Sequence, residues 1–182
     1  MVVILLAGMP GAGKEEFLKV PNEKDYDIVR MGDVVREQAE MADLSEEEMS
    51  IGEFANRERK EHHDGIWADR TLIKVSKEKT VIDGIRSVEE VSIFRSEIEK
   101  DAPIVAIHSS PKTRFERLKD RGREDAPQTR KEFHERDMRE LDWGLGKVIA
   151  RADWMIVNEG TLSEFQEKAE HLLDDISSKE SR

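Results

Sequence analysis

The chain has 182 residues, enough for one α/β domain with its own core. Its 41 Asp and Glu outnumber 30 Lys and Arg, and the net charge of −11 excludes general binding to nucleic acid or an anionic membrane. The absence of cysteine excludes disulfides, thiol catalysis and cysteine-based metal sites. The opening apolar run is too short for a signal peptide and has no basic leader, and no transmembrane stretch follows. A cytoplasmic protein is expected.

In chain order, Val2–Ala7 is apolar throughout and reads as a central parallel strand. A short helix follows from about Gly13 and should end before Pro21. Tyr26–Met31 reads as a second strand ending in Gly32-Asp33. A helix then places Val34, Val35, Met41 and Ala42 on one face and Arg36 on the other. Ser45-Glu46-Glu47-Glu48 has the pattern of a capping box and opens a charged helical stretch to Lys79. Thr80–Gly84 is the third strand, and Ser87 caps a helix that buries Val88, Val91, Phe94 and Ile98. Pro103–His108 is the fourth strand. Ser110-Pro111 starts a helix that Gly122 stops. The segment 123–129 reads as a loop, and a charged helix covers about 131–141. Gly144 and Gly146 break the pattern before a fifth strand at Asp153–Val157. Thr161 caps a last amphipathic helix with Leu162, Phe165, Ala169, Leu172, Leu173 and Ile176 on one stripe, and 177–182 should fray. Five strands alternating with helices predict a parallel sheet covered on both faces, with ligands at the carboxyl ends of the strands.

The first of those ends carries Gly8-Met9-Pro10-Gly11-Ala12-Gly13-Lys14, the spacing of a phosphate-binding loop. Glycines let backbone N–H groups approach phosphate oxygens, the following helix turns its positive end toward them, and Lys14 adds a point charge. The pattern asks for Ser or Thr next, to ligate Mg²⁺, and the chain has Glu15. Asp83 ends the third strand, where phosphate-loop proteins place an acid that holds Mg²⁺; a turn-capping aspartate is the plainer alternative. Arg114, Arg117 and Arg121 share a helix face, Arg123 follows, and Arg136 and Arg139 share a face opposite Phe133, Met138 and Leu141. Such a segment can close over a triphosphate and stabilise charge on the transferred group. Ion pairing with Glu116, Asp120, Glu132, Glu135 and Glu140 is the competing explanation. His62-His63 reads as a surface pair, and Trp67, Trp143 and Trp154 read as packing residues.

Assembled, these motifs resemble a known family. Met31-Gly32-Asp33-Val34-Val35-Arg36 is similar to the Thr-Gly-Asp-x-x-Arg stretch of adenylate kinases. Asp83-Gly84-Ile85-Arg86 is similar to their Asp-Gly-x-Pro-Arg stretch, without the proline, and 117–139 resembles their lid. With the phosphate loop, the resemblance to P-loop nucleoside monophosphate kinases spans nearly the whole chain. The nearest likeness is the archaeal adenylate-kinase-related group, which is also close to dephospho-CoA kinases. It implies a single three-layer P-loop domain with a five-stranded parallel sheet of order 2-3-1-4-5. The core would be 1–33, 80–113 and 142–182, with an acceptor-binding insertion at 34–79 and a lid at 114–141.

The resemblance also implies roles. Gly8, Met9, Pro10, Gly11, Ala12, Gly13, Lys14 and Glu15 would hold ATP, with Mg²⁺ at Glu15 and Asp83. Gly32, Asp33, Arg36, Asp83, Gly84 and Arg86 would face the acceptor. Arg117 and Arg121 would lie nearest the donor, with Arg123, Arg136 and Arg139 around the transferred group. The implied activity is transfer of the ATP γ-phosphate to a nucleoside monophosphate, AMP first, with small-molecule nucleotides as the partners. Two alternatives stand beside it. One is transfer to a hydroxyl with Asp33 as base. The other is a nucleotide-responsive binding protein or slow NTPase whose metal site Glu15 impairs.

Overall fold

The computed structural model describes residues 2–42, 49–76, 78–98, 102–122 and 126–180. Five strands form one parallel sheet: β1 (Val2–Ala7), β2 (Asp27–Arg30), β3 (Lys79–Asp83), β4 (Ile104–His108) and β5 (Trp154–Val157). Their order is β2-β3-β1-β4-β5, with β1 central. Between them run α1 (Lys14–Glu23), α2 (Met31–Met41), α3 (Ile51–Glu61), α4 (Ile66–Leu72), α5 (Val88–Glu97), α6 (Pro111–Asp120), α7 (Arg130–Asp142) and α8 (Leu145–Ala150). The last helix, α9 (Leu162–Glu180), follows β5. No described helix is long and apolar enough to cross a membrane.

The unbroken apolar run of β1 is explained by two cores. Val3, Leu5 and Ala7 face one that contains Val34, Phe54, Trp67, Phe94 and Leu145, from α2, α3, α4, α5 and α8. Ile4 and Leu6 face the other, with Phe17 of α1 and Phe165, Leu172 and Leu173 of α9. All five β1 residues from Val3 to Ala7 are fully buried, and each buried Leu or Ile contributes roughly 1.5–3 kcal/mol of transfer free energy. That burial holds the carboxyl end of β1, and the loop beyond it, in a fixed place.

The local signals for helix starts act as read. Ser87 and Glu90 form a reciprocal capping box on α5, Ser110 caps α6 with Pro111 in the first turn, and Thr161 bonds Glu164 at the start of α9. The box at 45–48 lies outside the described residues; α3 is capped by Ser50 and Glu53.

Several boundaries differ from the sequence expectation. α1 continues through Pro21 to Glu23, because a proline in the last turn costs one N–H bond while its carbonyl still accepts from Lys24 and Tyr26, both at 3.0 Å. β2 stops at Arg30, and Met31 already opens α2, so Gly32 and Asp33 lie in a helical first turn. On α2 the buried face is Val34, Val35 and Ala39, whereas Met41 is 77% exposed, since the helix ends beyond the core. Gly144, at φ 102°, ends α7 and starts α8, which buries Leu145 and Val148; Gly146 is inside that helix. Leu162 sits in the exposed first turn of α9, and the helix runs on through Ser177, whose hydroxyl donates to the Leu173 carbonyl.

Candidate functional site

The carboxyl ends of β1, β2 and β3 open into a cavity of about 530 Å³. Its floor is the loop from Gly8 to Lys14. Gly13 has φ 108°, a left-handed conformation, and a Cβ there would collide with the Asn158 amide. The loop is held from behind. Asn158 Nδ2 donates to the Ala12 carbonyl at 2.9 Å, and the Ser109 hydroxyl is placed between the carbonyls of Ala12 (3.2 Å) and Asn158 (2.6 Å). Arg114 donates to the Pro10 carbonyl at 3.2 Å while a bidentate bond joins it to Asp137 of α7 at 2.7 and 2.5 Å. Gly13 supplies no side-chain cap to α1, so the first amides of that helix are available to an anion.

Lys14 donates to the Gly8 carbonyl at 2.7 Å, which lays its ammonium across the loop. Enclosure lowers its pKa from the ordinary lysine value, against the opposing fields of Asp83 and Glu140. Asp83 shows the converse. Burial raises its carboxyl pKa above the ordinary range, and Lys14 and Arg86 partly offset that. Its Oδ1 is shielded from solvent and has no hydrogen-bond partner. Arg86 is held charged first of all by Glu140, which accepts from its Nε at 3.0 Å; Arg86 Nη1 donates to the Gly84 carbonyl at 3.3 Å.

Among the described residues, seven cationic side chains line the cavity: Lys14, Arg30, Arg36, Arg86, Arg117, Arg121 and Arg136. Four acids, Glu15, Glu16, Asp83 and Glu140, share it. The described lining thus carries more cations than acids in a chain whose net charge is −11. The arrangement suits a polyanion.

Most of the residues singled out in the sequence meet here. Gly8, Pro10, Gly11, Gly13, Lys14, Glu15, Gly32, Arg36, Asp83, Gly84, Arg86, Arg117, Arg121 and Arg136 all line the cavity. Met9 and Ala12 are buried beneath the loop surface. Asp33 is exposed and pairs with Arg36 in the first turns of α2, outside the lining. Arg139 is not brought to the site. One helical turn along α7 from Glu135, it lines a separate cleft with Asn56 and Trp143, because positions 136 and 139 diverge enough around the helix to face different neighbours. Arg123 lies outside the described residues. Arg114, first of the predicted arginine face, is 3% exposed and serves the loop's architecture. On α7, Met138 and Leu141 are 41% and 43% exposed; Phe133 alone of that trio is buried.

Among the charged lining residues, Glu16, Arg30 and Glu140 escaped the sequence reading. Arg30 ends β2 in register with Asp83 of β3, but placing the strand end one residue later hid its position at the edge. Glu140 read as a solvated partner on α7; its spacing of four from Arg136 was the available signal. Arg86 is also the meeting point of a buried network. Glu90 accepts from the Arg86 backbone N–H at 2.7 Å and from Arg59 of α3 at 3.1 Å, and Trp143 lies within 4.8 Å of Arg59 and 5.7 Å of Arg86. The insertion and the arginine-rich segment therefore both touch the Arg86 loop.

His62 and His63 are about half exposed, and Trp67 is fully buried with its indole N–H on the Ala55 carbonyl. No group of three or more His, Asp or Glu able to hold a metal occurs among the described residues. Two carboxylates facing one phosphate loop, one with a partnerless buried oxygen, nevertheless fit Mg²⁺, which draws its other ligands from phosphates and water.

The sheet order, the Gly-rich loop between β1 and α1, and the cationic cavity above it define a P-loop protein of the kinase-like kind. A family model described as "AAA domain" matches residues 7–134. The UPF0200 protein of Thermoplasma acidophilum is 46% identical over 172 residues, covering 94% of each chain. The UPF0200 protein of Methanopyrus kandleri is 48% identical over 174 residues, covering 92% of this chain and 86% of that one. The chain belongs to the UPF0200 family, within the P-loop proteins that the AAA-domain match describes. Among solved structures, TT1252 from Thermus thermophilus superposes with a TM-score of 0.67 at 13% identity, over 96% of this chain and 97% of that one. Shikimate kinase from Acinetobacter baumannii gives a TM-score of 0.63 at 12% identity, over 100% and 96%. At these identities the likeness is one of fold.

Proposed function

We propose that the protein is a nucleotide-dependent phosphotransferase that moves the γ-phosphoryl group of ATP to a nucleoside monophosphate, AMP being the first candidate. The observation that carries this reading is that one cavity joins the phosphate loop to Arg36 and Arg86 across it, with Arg117, Arg121 and Arg136 at its rim. A donor triphosphate and an acceptor phosphate then have separate cationic holders within one enclosure.

In the reaction, an oxygen of the acceptor phosphate attacks the γ-phosphorus in line. The bond from that phosphorus to the β–γ bridging oxygen breaks, and ADP leaves with the electron pair. An ionised acceptor phosphate has no proton to lose, so the site needs no general base. Lys14 and the α1 amides hold donor phosphates, Arg36 and Arg86 hold the acceptor, and the arginines of α6 and α7 stabilise charge on the group in flight. Glu15 and Asp83 would hold Mg²⁺, which when bound neutralises phosphate charge. Asp33, exposed and tied to Arg36, lends little support to a hydroxyl acceptor that profits from a base. The net charge of −11 favours small nucleotides over nucleic acid or membrane as partners.

The test is direct. Purified protein is mixed with ATP, Mg²⁺ and each nucleoside monophosphate in turn, and nucleotides are separated by ion-exchange chromatography. The expected result is consumption of AMP with two ADP formed per ATP or, with another monophosphate, ADP plus the diphosphate of that monophosphate. Failure to consume any monophosphate, with ATP yielding only what hydrolysis alone leaves, overturns the proposal.

A further inference from the structure

The residue after the loop lysine is a carboxylate at the mouth of an anion site. Glu15 belongs to the first turn of α1, whose amides also face the phosphate position, so in the absence of a cation it opposes the ligand the loop is built for. The fold supplies a counter-charge. Arg30 Nη2 lies 3.5 Å from Glu15 Oε2, although 15 residues separate them. The β2–β3 register sets Arg30 at the sheet edge beside Asp83, so its place does not depend on Glu15. The pair is loose: the two side chains are 36% and 45% exposed, and one long contact joins them. Of the other nearby charges, Asp83 also feels the field of Arg30 from the buried side, and three groups have partners of their own. Glu16 pairs with Lys19, Arg86 with Glu140, and Arg36 with Asp33.

We propose that Arg30 is a positioning residue that neutralises Glu15 whenever no metal does, and thereby sets how strongly nucleotide affinity depends on Mg²⁺. The inference rests on the phosphotransferase reading. It assigns to Arg30 a role exerted through Glu15, distinct from direct contact with phosphate. A Ser or Thr after Lys14 would need no such partner; the glutamate and the arginine work as a unit. When the Glu15 carboxylate is engaged by a cation, Arg30 has little left to neutralise.

A double-mutant cycle read by ATP affinity tests this. ATP binding is measured calorimetrically for the wild type, Arg30→Met, Glu15→Gln and the double variant, each in EDTA and in excess Mg²⁺. In EDTA, Arg30→Met is expected to weaken ATP binding about tenfold, while in the Glu15→Gln background the same change costs less than about twofold. In Mg²⁺ the cost of Arg30→Met should fall below about threefold. Arg30→Lys, which keeps the charge, should stay close to wild type in EDTA, and a thermal melt checks that each variant folds. A cost in the Glu15→Gln background equal to or larger than in wild type overturns the inference, because that is the signature of an arginine touching phosphate itself. So does a cost that Mg²⁺ leaves unchanged. If the wild type binds ATP and the cycle shows no coupling, this inference alone fails. If the wild type binds no nucleotide in either condition, the phosphotransferase reading fails with it.

Discussion

The two sides of the cavity are built differently. On the loop side, neutral hydrogen bonds from Ser109 and Asn158 and a buried bidentate pair, Arg114–Asp137, hold backbone carbonyls of Pro10 and Ala12. On the opposite side the cations are held by carboxylates: Arg30 with Glu15 and Arg36 with Asp33 in exposed ion pairs, and Arg86 with Glu140 in a largely buried one. The first side is fixed before any ligand arrives. On the second, the exposed pairs of Arg30 and Arg36 are ones that a phosphate would displace under the proposed function. Buried pairs resist such exchange because each partner would be left charged and desolvated; exposed pairs permit it because water and salt stand in. Under the proposed transfer, the fixed loop side would hold the donor and the exposed pairs opposite would yield to the acceptor.

The largest effect that bears on this contrast should come from Asp137→Ala. It leaves the Arg114 guanidinium buried and unpaired against the Pro10 carbonyl, and should cost about 3–5 kcal/mol of folding stability in a denaturant titration. A loss below about 1 kcal/mol would mean that the loop side is no more rigid than the other.

Asp83→Asn should act in two directions. Because burial raises the Asp83 pKa, the folded chain holds that proton more tightly than the unfolded chain does. Stability attributable to this group therefore falls as pH rises from the ordinary carboxylate range through its raised value, and above that the penalty is complete. The ligand-free variant should accordingly melt higher than wild type at neutral pH, and lose that part of the pH dependence. Its affinity for ATP in Mg²⁺ should meanwhile fall by at least about tenfold if Asp83 helps hold the cation. An unchanged melting temperature across pH 4 to 8 (the range chosen to span roughly the carboxylate region) would contradict the burial argument.

The smallest effect is expected from Arg139→Ala. This residue lines the cleft shared by α3 and α7 and not the main cavity, so transfer and ATP affinity should stay within about twofold of wild type and stability within about 0.5 kcal/mol. A tenfold loss of transfer would place Arg139 at the reacting phosphates after all, and blur the distinction between the two sides.

The contrast also marks how far the sequence could be read. Gly8 to Lys14, Arg36, Asp83 and Arg86 were legible because each occupies a short motif or the end of an apolar run, and those ends converge on one edge of a parallel sheet. Helix starts at Ser87, Ser110 and Thr161 were legible because a cap is made within three residues. Arg139 was misplaced because a face shared with Arg136 over one turn does not say what lies opposite each of them. Met41 and Leu162 carried the apolar pattern to helix ends where no core remained to receive it.

What the sequence by itself determined is the class of site: strand, phosphate loop, helix, and the acid and arginines that follow later strands. Spacing and periodicity specify these because backbone geometry repeats over a few residues. What only the tertiary structure decided is how the charges are shared out. Glu15 meets Arg30 across 15 residues, Arg114 meets Asp137 across 23, and Arg86 meets Glu140 across 54. Among 41 acids and 30 basic residues no local rule selects those partners. Selection comes from which strand ends and helix faces the two cores bring within a few ångströms, and from how deeply each pair is then removed from water.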